Sequence, residues 1–438
     1  MNLTERLIHL GILAGAAASM GYERLRYGVA FDPRGSAHHD DPYPQYRRLR
    51  EIDPIHRSPV VPGYVLTRYE DVVEALSDAR LSSDERHWRH YPKIAARRRK
   101  MGLPEPYSEG GTGMLRIDPP DHTRLRSLVS RAFTPRAVER MRGRVDEIAR
   151  QWLERTAAND TIELVRDFAA PLPVTVIAEM LGVPPEDHER FRHWSDEGVR
   201  VLGFANGDDV RRSLLAQAEL RAYLEEIVER RRLHPRDDVL SALVAAEEDG
   251  DRLSADELFA QTMLILIAGN ETTTNLISNG TIALLRNPEQ MERLRAEPEL
   301  LPRAVNEFLR YDSPVQLTSR MAPADLDFKG HPVGKGEQLV LLLGAANRDP
   351  AAFTSPEQLD VGRDEERPLS FSHGIHYCLG AQLARLEGEI AFRTLLETFP
   401  SIELATDRIE WGENTILRGP KKLPLRVRRR TGTAASAA

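Results

Sequence analysis

The sequence predicts a mainly α-helical protein with small β-sheets, and three observations carry that reading. Apolar residues recur at steps of three and four through most of the 438-residue chain. One stretch, "LSADELFAQTMLILIAGNETTTNLISNGTIALLRNP", runs without a proline until Pro288. Strand-like segments are few and short.

In chain order, "LIHLGILAGAAASMGY" from Leu7 to Tyr22 carries no Asp, Glu, Lys or Arg. It is shorter than the ~20 apolar residues a spanning helix needs, and it contains His9. Arg6 and the small residues of "AAAS" are also features of a signal peptide. The reading preferred is an N-terminal helix that packs on the body or lies against a membrane surface, so any membrane contact is peripheral. "GYVLTRY" around Tyr64 and "GEQLVLLLGA" around Leu341 read as strands beside glycine turns. Leu81 to Gly113, with "RRR" at Arg97–Arg99 and "EGGTG" at Glu109–Gly113, reads as one long irregular segment. Loops of that length usually carry function.

In "TPRAVERMRGRVDEIARQWLE", Thr134 is a cap and Pro135 takes the first helical position. Val138, Met141, Val145, Ile148 and Trp152 then form one apolar face. The proline-free stretch opens with a capping box, Ser254 and Glu257, and is apolar all round near its middle, which predicts burial. The tail "RVRRRTGTAASAA" reads as disordered. The expected organisation is an extension at 1–39, one domain at 40–428 and a tail at 429–438.

Hydrophobic residues, 41% of the chain, are enough for a large core. Charged residues of both signs and a net charge of −7 argue against a nucleic-acid partner. With one cysteine no internal disulfide can form, nothing marks an oxidising compartment, and the expected location is the cytoplasm.

That cysteine, Cys378, lies in "FSHGIHYCLGAQLARLEG". Leu379, Leu383, Leu386 and Ile390 follow it at helical steps, so the thiol sits at a helix N-terminus, where free N–H groups and the dipole favour a thiolate. Gly374 and Gly380 let the backbone approach a flat partner. Alone, this pattern most often marks a small buried hydrophobe; a catalytic nucleophile and a haem-iron ligand are the alternatives, the latter ranking no higher. No CxxC companion supports a structural zinc site.

The wider pattern separates these readings. "FSHGIHYCLG" resembles the haem-binding signature of the cytochrome P450 family, with Phe371, Gly374, His376, Cys378 and Gly380 matching. Ser372 stands where the family usually has glycine, and Gln382 where many bacterial members have proline. "NEFLR" matches the Glu-x-x-Arg clamp through Glu307 and Arg310, and the third member of that clamp is expected at Gln358, where arginine is common. "AGNETT" resembles the oxygen-activation segment, through Ala268, Gly269, Glu271 and Thr272. "DPPDHTRLRSLVSRAFTPR" looks like the helix that holds the haem propionates, through His122 and Arg126. Arg320 and His376 match further propionate positions, and "GAANRDP" is typical of bacterial members. The resemblance spans roughly residues 40 to 428 in the family's order.

The resemblance implies a P450 fold with haem b held between the long central helix and the cysteine-loop helix, and Cys378 as iron ligand. It implies insertion of one oxygen atom from O2 into a hydrophobic small molecule of macrolide, terpenoid, steroid or fatty-acid type. Glu271 and Thr272 would deliver protons, with Gly269 giving room for the ligand. Electrons would come from a separate ferredoxin or flavodoxin with an NAD(P)H-dependent reductase, approaching the cysteine side where Arg126 lies. The expected substrate pocket is lined by Leu264, Ala268, Val315, Gln316, Leu317 and Ile416. Arg86, Arg89, Lys93 and Arg97 read as a solvated loop face or as partners of a substrate carboxylate. The rival readings are a peroxide-driven peroxygenase of the same fold and a non-enzymatic haem gas sensor or carrier.

Overall fold

A computed structural model of the chain describes residues 18–33, 35–100, 113–156, 159–201, 207–248 and 253–429. The fold is mainly helical with small sheets, as the periodicity predicts. The elements that position the site are α1 (Asp121–Ser130), α2 (His188–Val199), α3 (Gly207–Leu233), α4 (Ala255–Arg286), α5 (Leu301–Tyr311) and α6 (Ala381–Thr398).

The proline-free stretch is α4, one helix of 32 residues and therefore about 48 Å long. Ser254 and Glu257 close its N-terminus with both bonds of a capping box. Its second half is buried all round because α5 and α6 pack on it. Gly280 of α4 leaves room there for Phe308 of α5 and Phe392 of α6, whose rings stand 4.6 Å apart. Both rings are fully buried, which stabilises by roughly 1.5–3 kcal/mol each.

The main sheet joins β1 (Ile55–Ser58), β2 (Gly63–Leu66), β4 (Gln338–Leu341) and β3 (Thr318–Met321) in the spatial order β1-β2-β4-β3. The two strands read from the sequence, β2 and β4, are the parallel pair at its centre. Both are buried on both faces, so neither alternates. The strand Pro424–Arg428 lies between Thr161–Glu163 and Ser401–Leu404 and takes up the first residues expected in the tail.

Two expectations change. Thr134 caps as expected, but the helix it opens ends at Arg140 and a second begins at Arg142. The Met141 amide turns back to Val138 at 3.0 Å, a tightened turn that resets the helix direction. The segment at 81–113 is not wholly irregular: it holds a short turn at Glu85–His87 and a helix at Tyr91–Lys100. "EGGTG" lies outside the described residues except for Gly113. Arg86 pairs with Asp84, and Arg89 with Glu337, so these two cations have acids of their own.

Most of the N-terminal apolar run also lies outside the described residues. Residues 18–27 are helical and are fastened through Glu23, which is fully buried. Its carboxylate accepts from Phe31 N at 2.8 Å and Ser58 Oγ at 2.6 Å and lies 3.2 Å from His56 Nε2. Among the described residues, no helix is long and apolar enough to cross a membrane.

Candidate active site

Cys378 sits between a short turn, Gly374–His376, and the first residue of α6. Its amide donates to Phe371 O at 2.9 Å, which folds the loop back on itself. Gly374 takes a φ of 70° with its Cβ direction 3.0 Å from Leu76 O, so a side chain fits there neither in angle nor in space. At Gly380 an added Cβ would meet nothing within 4 Å, which leaves that flank open to a flat ligand. The sequence predicts a thiolate favoured by the helix end. Burial instead pushes the Cys378 thiol up, against the pull of the Gly380 amide, Arg126 and Arg385. A thiolate there would need a further cation beside it, such as a bound metal ion.

Four basic side chains gather near this loop. His122 of α1 and His376 lie ring to ring at 4.3 Å. Arg320 of β3 is 5% exposed. His122 Nε2, His376 Nε2 and Arg320 Nη2 are all buried without a hydrogen-bond partner. Burial, then each other's charge, depresses them: His376 to about 3 and Arg320, by burial, to about 10, with His122 also lowered. Three orphaned donors that repel one another mark a place built for anionic oxygens. Arg126 differs: its guanidinium donates to Tyr377 O at 2.6 Å, beside the cysteine.

On α4, Ala268 is exposed, while Glu271 and Thr272 are partly exposed. Thr272 Oγ1 donates to Ala268 O at 2.7 Å, and Asn275 Nδ2 donates to Glu271 Oε1 at 3.4 Å. Burial pushes the Glu271 carboxyl up, with the Asp196 charge adding to it. Gly269 has another place than expected. Its Cβ direction meets Ile177 at 3.0 Å, so the missing side chain serves contact with the helix Pro171–Met180; the open position is Ala268, one residue earlier. A helix turns about 100° per residue, which separates the two.

The clamp is present with a different third member. Arg310 donates to Glu307 at 2.7 and 2.8 Å and to the carbonyls of Asn347, Pro356 and Gln358. The second cation on Glu307 is Arg363, at 3.0 Å; Gln358 gives only its backbone oxygen. Counting along an irregular stretch does not reveal which residue turns inward.

Of the expected pocket residues, Leu264 packs 3.3 Å from the Cβ direction of Gly113, and Val315, Leu317 and Ile416 are partly exposed. Gln316 is 3% exposed and turns the other way, donating to Ser313 O and Tyr43 Oη. Extended chain alternates faces, so 315 and 317 share a side that 316 does not. The residue that sequence reasoning missed is Glu387 of α6. It is 1% exposed, carries an unpartnered Oε1, is pushed up to about 8 by burial, and bonds to Thr273, next to Thr272. Its signal was an acid four residues after Leu383 on an apolar stripe.

One cysteine on a loop, orphaned cations beside it and a long helix packed on α6 define a protein whose donor set fits an iron porphyrin. The family model described as Cytochrome P450 matches residues 86–426, and the chain belongs to that family. It is a P450 monooxygenase, and its family implies haem, O2, redox partners and hydrophobic substrates. It is 42% identical over 411 residues to the vitamin D(3) 25-hydroxylase of Pseudonocardia autotrophica, covering 91% of this chain and 98% of that one. It is 40% identical over 407 residues to the 6-deoxyerythronolide B hydroxylase of Saccharopolyspora erythraea, covering 90% and 98%. Among solved structures, the cytochrome P450 PksS of the Bacillus subtilis bacillaene polyketide synthase superposes with a TM-score of 0.82 at 39% identity, covering 91% of this chain and 100% of that one.

Proposed function

We propose that this chain holds haem b and hydroxylates a hydrophobic small molecule of macrolide, steroid, terpenoid or fatty-acid type. Cys378 would ligate the iron, and His122, Arg320 and His376 would take the propionates; Phe371, Gly374, Gly380 and Ala268 would line the macrocycle. Bound haem supplies O2 activation. The chain's own residues do the rest. Leu264, Ala268, Val315, Leu317 and Ile416 exclude water around the substrate, as apolar walls do. Thr272 hands protons inward from Glu271, whose proton affinity burial raises. Relatives that act on vitamin D3 and 6-deoxyerythronolide B support a large apolar substrate.

Electrons would come from a ferredoxin or flavodoxin and its reductase. Beside the cysteine loop, Arg303 and Arg363 are paired with Asp364 and Glu365, and the support for that partner is the remaining pair of surface cations, Arg367 and Arg385. Arg385 and Arg367 stack on Phe371 and Tyr377 of the cysteine loop. An acidic partner suits such a face.

The observation that carries the reading is the adjacent acid and alcohol, Glu271 and Thr272, on the helix packed against α6. A peroxygenase or gas carrier needs no such pair. The test compares product from O2 with ferredoxin, reductase and NADPH against product from peroxide alone. Cys378→Ala should lose the red-shifted absorbance of the reduced, carbon-monoxide-bound protein. Thr272→Ala should keep it while diverting reducing equivalents to peroxide. Equal coupling in Thr272→Ala and the parent would overturn the relay.

A further inference from the structure

Two loops far apart in the chain are tied together behind the expected pocket walls. The first, residues 312–317, joins α5 to β3 and carries Val315 and Leu317; the second, residues 415–418, carries Ile416. They pair as a short antiparallel ladder. Gln316 N donates to Ile416 O and Arg418 N to Pro314 O, each at 2.8 Å, with Val315 opposite Leu417. A ladder this short does not hold its own spacing. Asn279 of α4, 1% exposed, adds a tie to both loops, donating to Arg418 O at 2.9 Å and to Asp312 O at 3.2 Å.

The same loops meet again through a buried ion pair. Arg418 Nε donates to Asp312 Oδ1 at 2.8 Å, and both residues are 7% exposed. The other two guanidinium nitrogens donate to the His39 and Asp40 carbonyls at 2.7 and 3.1 Å. The flat face of the guanidinium lies 3.7 Å from the centre of the Trp411 ring. Tyr43 Oη donates to the same Asp312 oxygen at 2.9 Å and accepts from Ser313 N and Gln316 Nε2. Every arm of the guanidinium is used, so its place is fixed from several sides. An ion pair taken this far out of water adds little net stability, because desolvation offsets the attraction. What it does fix is geometry: Asp312 stands three residues before Val315, and Arg418 two after Ile416.

We propose that Arg418, paired with Asp312, determines specificity: it holds the two pocket walls at one spacing and so decides which carbon of the substrate is presented for hydroxylation. Arg418 acts through Val315, Leu317 and Ile416 and is thus a positioning residue, not a catalytic one. The proposal rests on the reading of those three residues as pocket wall.

The test uses the full chain with haem, a surrogate ferredoxin–reductase pair and myristic acid as probe. Mass spectrometry separates the hydroxylated positional isomers, and urea titration reads stability. Arg418→Lys keeps the charge but lacks the planar fork that reaches Asp312 and both carbonyls. It should lower the ratio of the major isomer to the next about tenfold, within what a displacement of about 1 Å produces. The absorbance of its reduced, carbon-monoxide-bound form should match the parent. The control is Arg231→Lys on α3, which loosens a buried pair of the same kind between other elements, Arg231 with Asp238 at 2.7 Å. It should lower the urea midpoint and leave the isomer ratio unchanged. A parent-like ratio in Arg418→Lys, with the ratio shifted in Val315→Ala, overturns this inference and leaves the pocket reading standing. An equal shift in Arg231→Lys overturns it as general loosening. An unshifted Val315→Ala overturns the pocket reading and the inference with it. Should Arg418→Lys not retain haem, Asn279→Ser cuts the tie to both loops with the ion pair intact, and a parent-like ratio there again overturns the inference.

Discussion

Ser372→Gly should make the protein more stable. Ser372 has a φ of 63° and a ψ of −167°, a conformation that is nearly confined to glycine. Holding a residue with a Cβ there costs about 1–3 kcal/mol. Its amide bonds to Leu369 O at 2.7 Å, which pins the turn, and among the described residues no bond to its hydroxyl offsets the strain. Glycine returns roughly 0.5–1 kcal/mol of this because its unfolded chain is freer. The net gain is about 0.5–2 kcal/mol. At about 2.1 cal/mol/K per residue, unfolding 438 residues carries an entropy near 0.9 kcal/mol/K, so Tm moves only about 0.5–2 °C. Urea titration followed by far-UV dichroism is the better assay, with Ser372→Ala as control. Alanine removes the hydroxyl but keeps the Cβ, so it should gain nothing. Equal gains in both variants, or none in Ser372→Gly, would refute the backbone argument.

His56 gives a pH dependence. Burial lowers its proton affinity, but Asp53 and Glu23 outweigh that and leave it raised. Its contribution is thus fully present below about pH 6.5 and is lost as pH rises through the folded value. Urea midpoints should fall across that window in the parent and stay flatter in His56→Gln. Glu387 works in the opposite sense: its folded value, about 8, lies above the ordinary 4.5, so stability declines as pH rises between them. At about 1.4 kcal/mol per pH unit the loss is capped near 5 kcal/mol, and Glu387→Gln should remove it at pH 8 but not at pH 4.5. Arg310→Ala leaves Glu307 buried with Arg363 alone and should destabilise by about 3–5 kcal/mol, read as loss of soluble, haem-retaining protein on expression.

Much of the fold was legible because helical periodicity is local. The capping box at Ser254, the length of α4 and the strands at Tyr64 and Leu341 all follow from residues within a few positions of one another. The break at Met141 and the helix at Tyr91–Lys100 were not legible, since a tightened turn and a polar, weakly amphipathic helix leave little trace in an apolar pattern. For the candidate site, motif and spacing singled out Cys378, Glu271, Thr272 and the basic residues, and the structure gathers His122, Arg320 and His376 near the cysteine loop.

What the sequence by itself determined was the helical class, the position of the lone thiol at the mouth of α6, and the adjacency of acid and alcohol on α4. Only the tertiary structure decided which way side chains turn: Gly269 toward Ile177, Gln316 toward Tyr43, Arg363 onto Glu307, and Asn270 onto Ser195. The reason is physical. Periodicity fixes which residues share a face, but what that face meets is set by contacts between segments far apart in the chain, and a partner 53 or 75 residues away leaves no mark on local pattern.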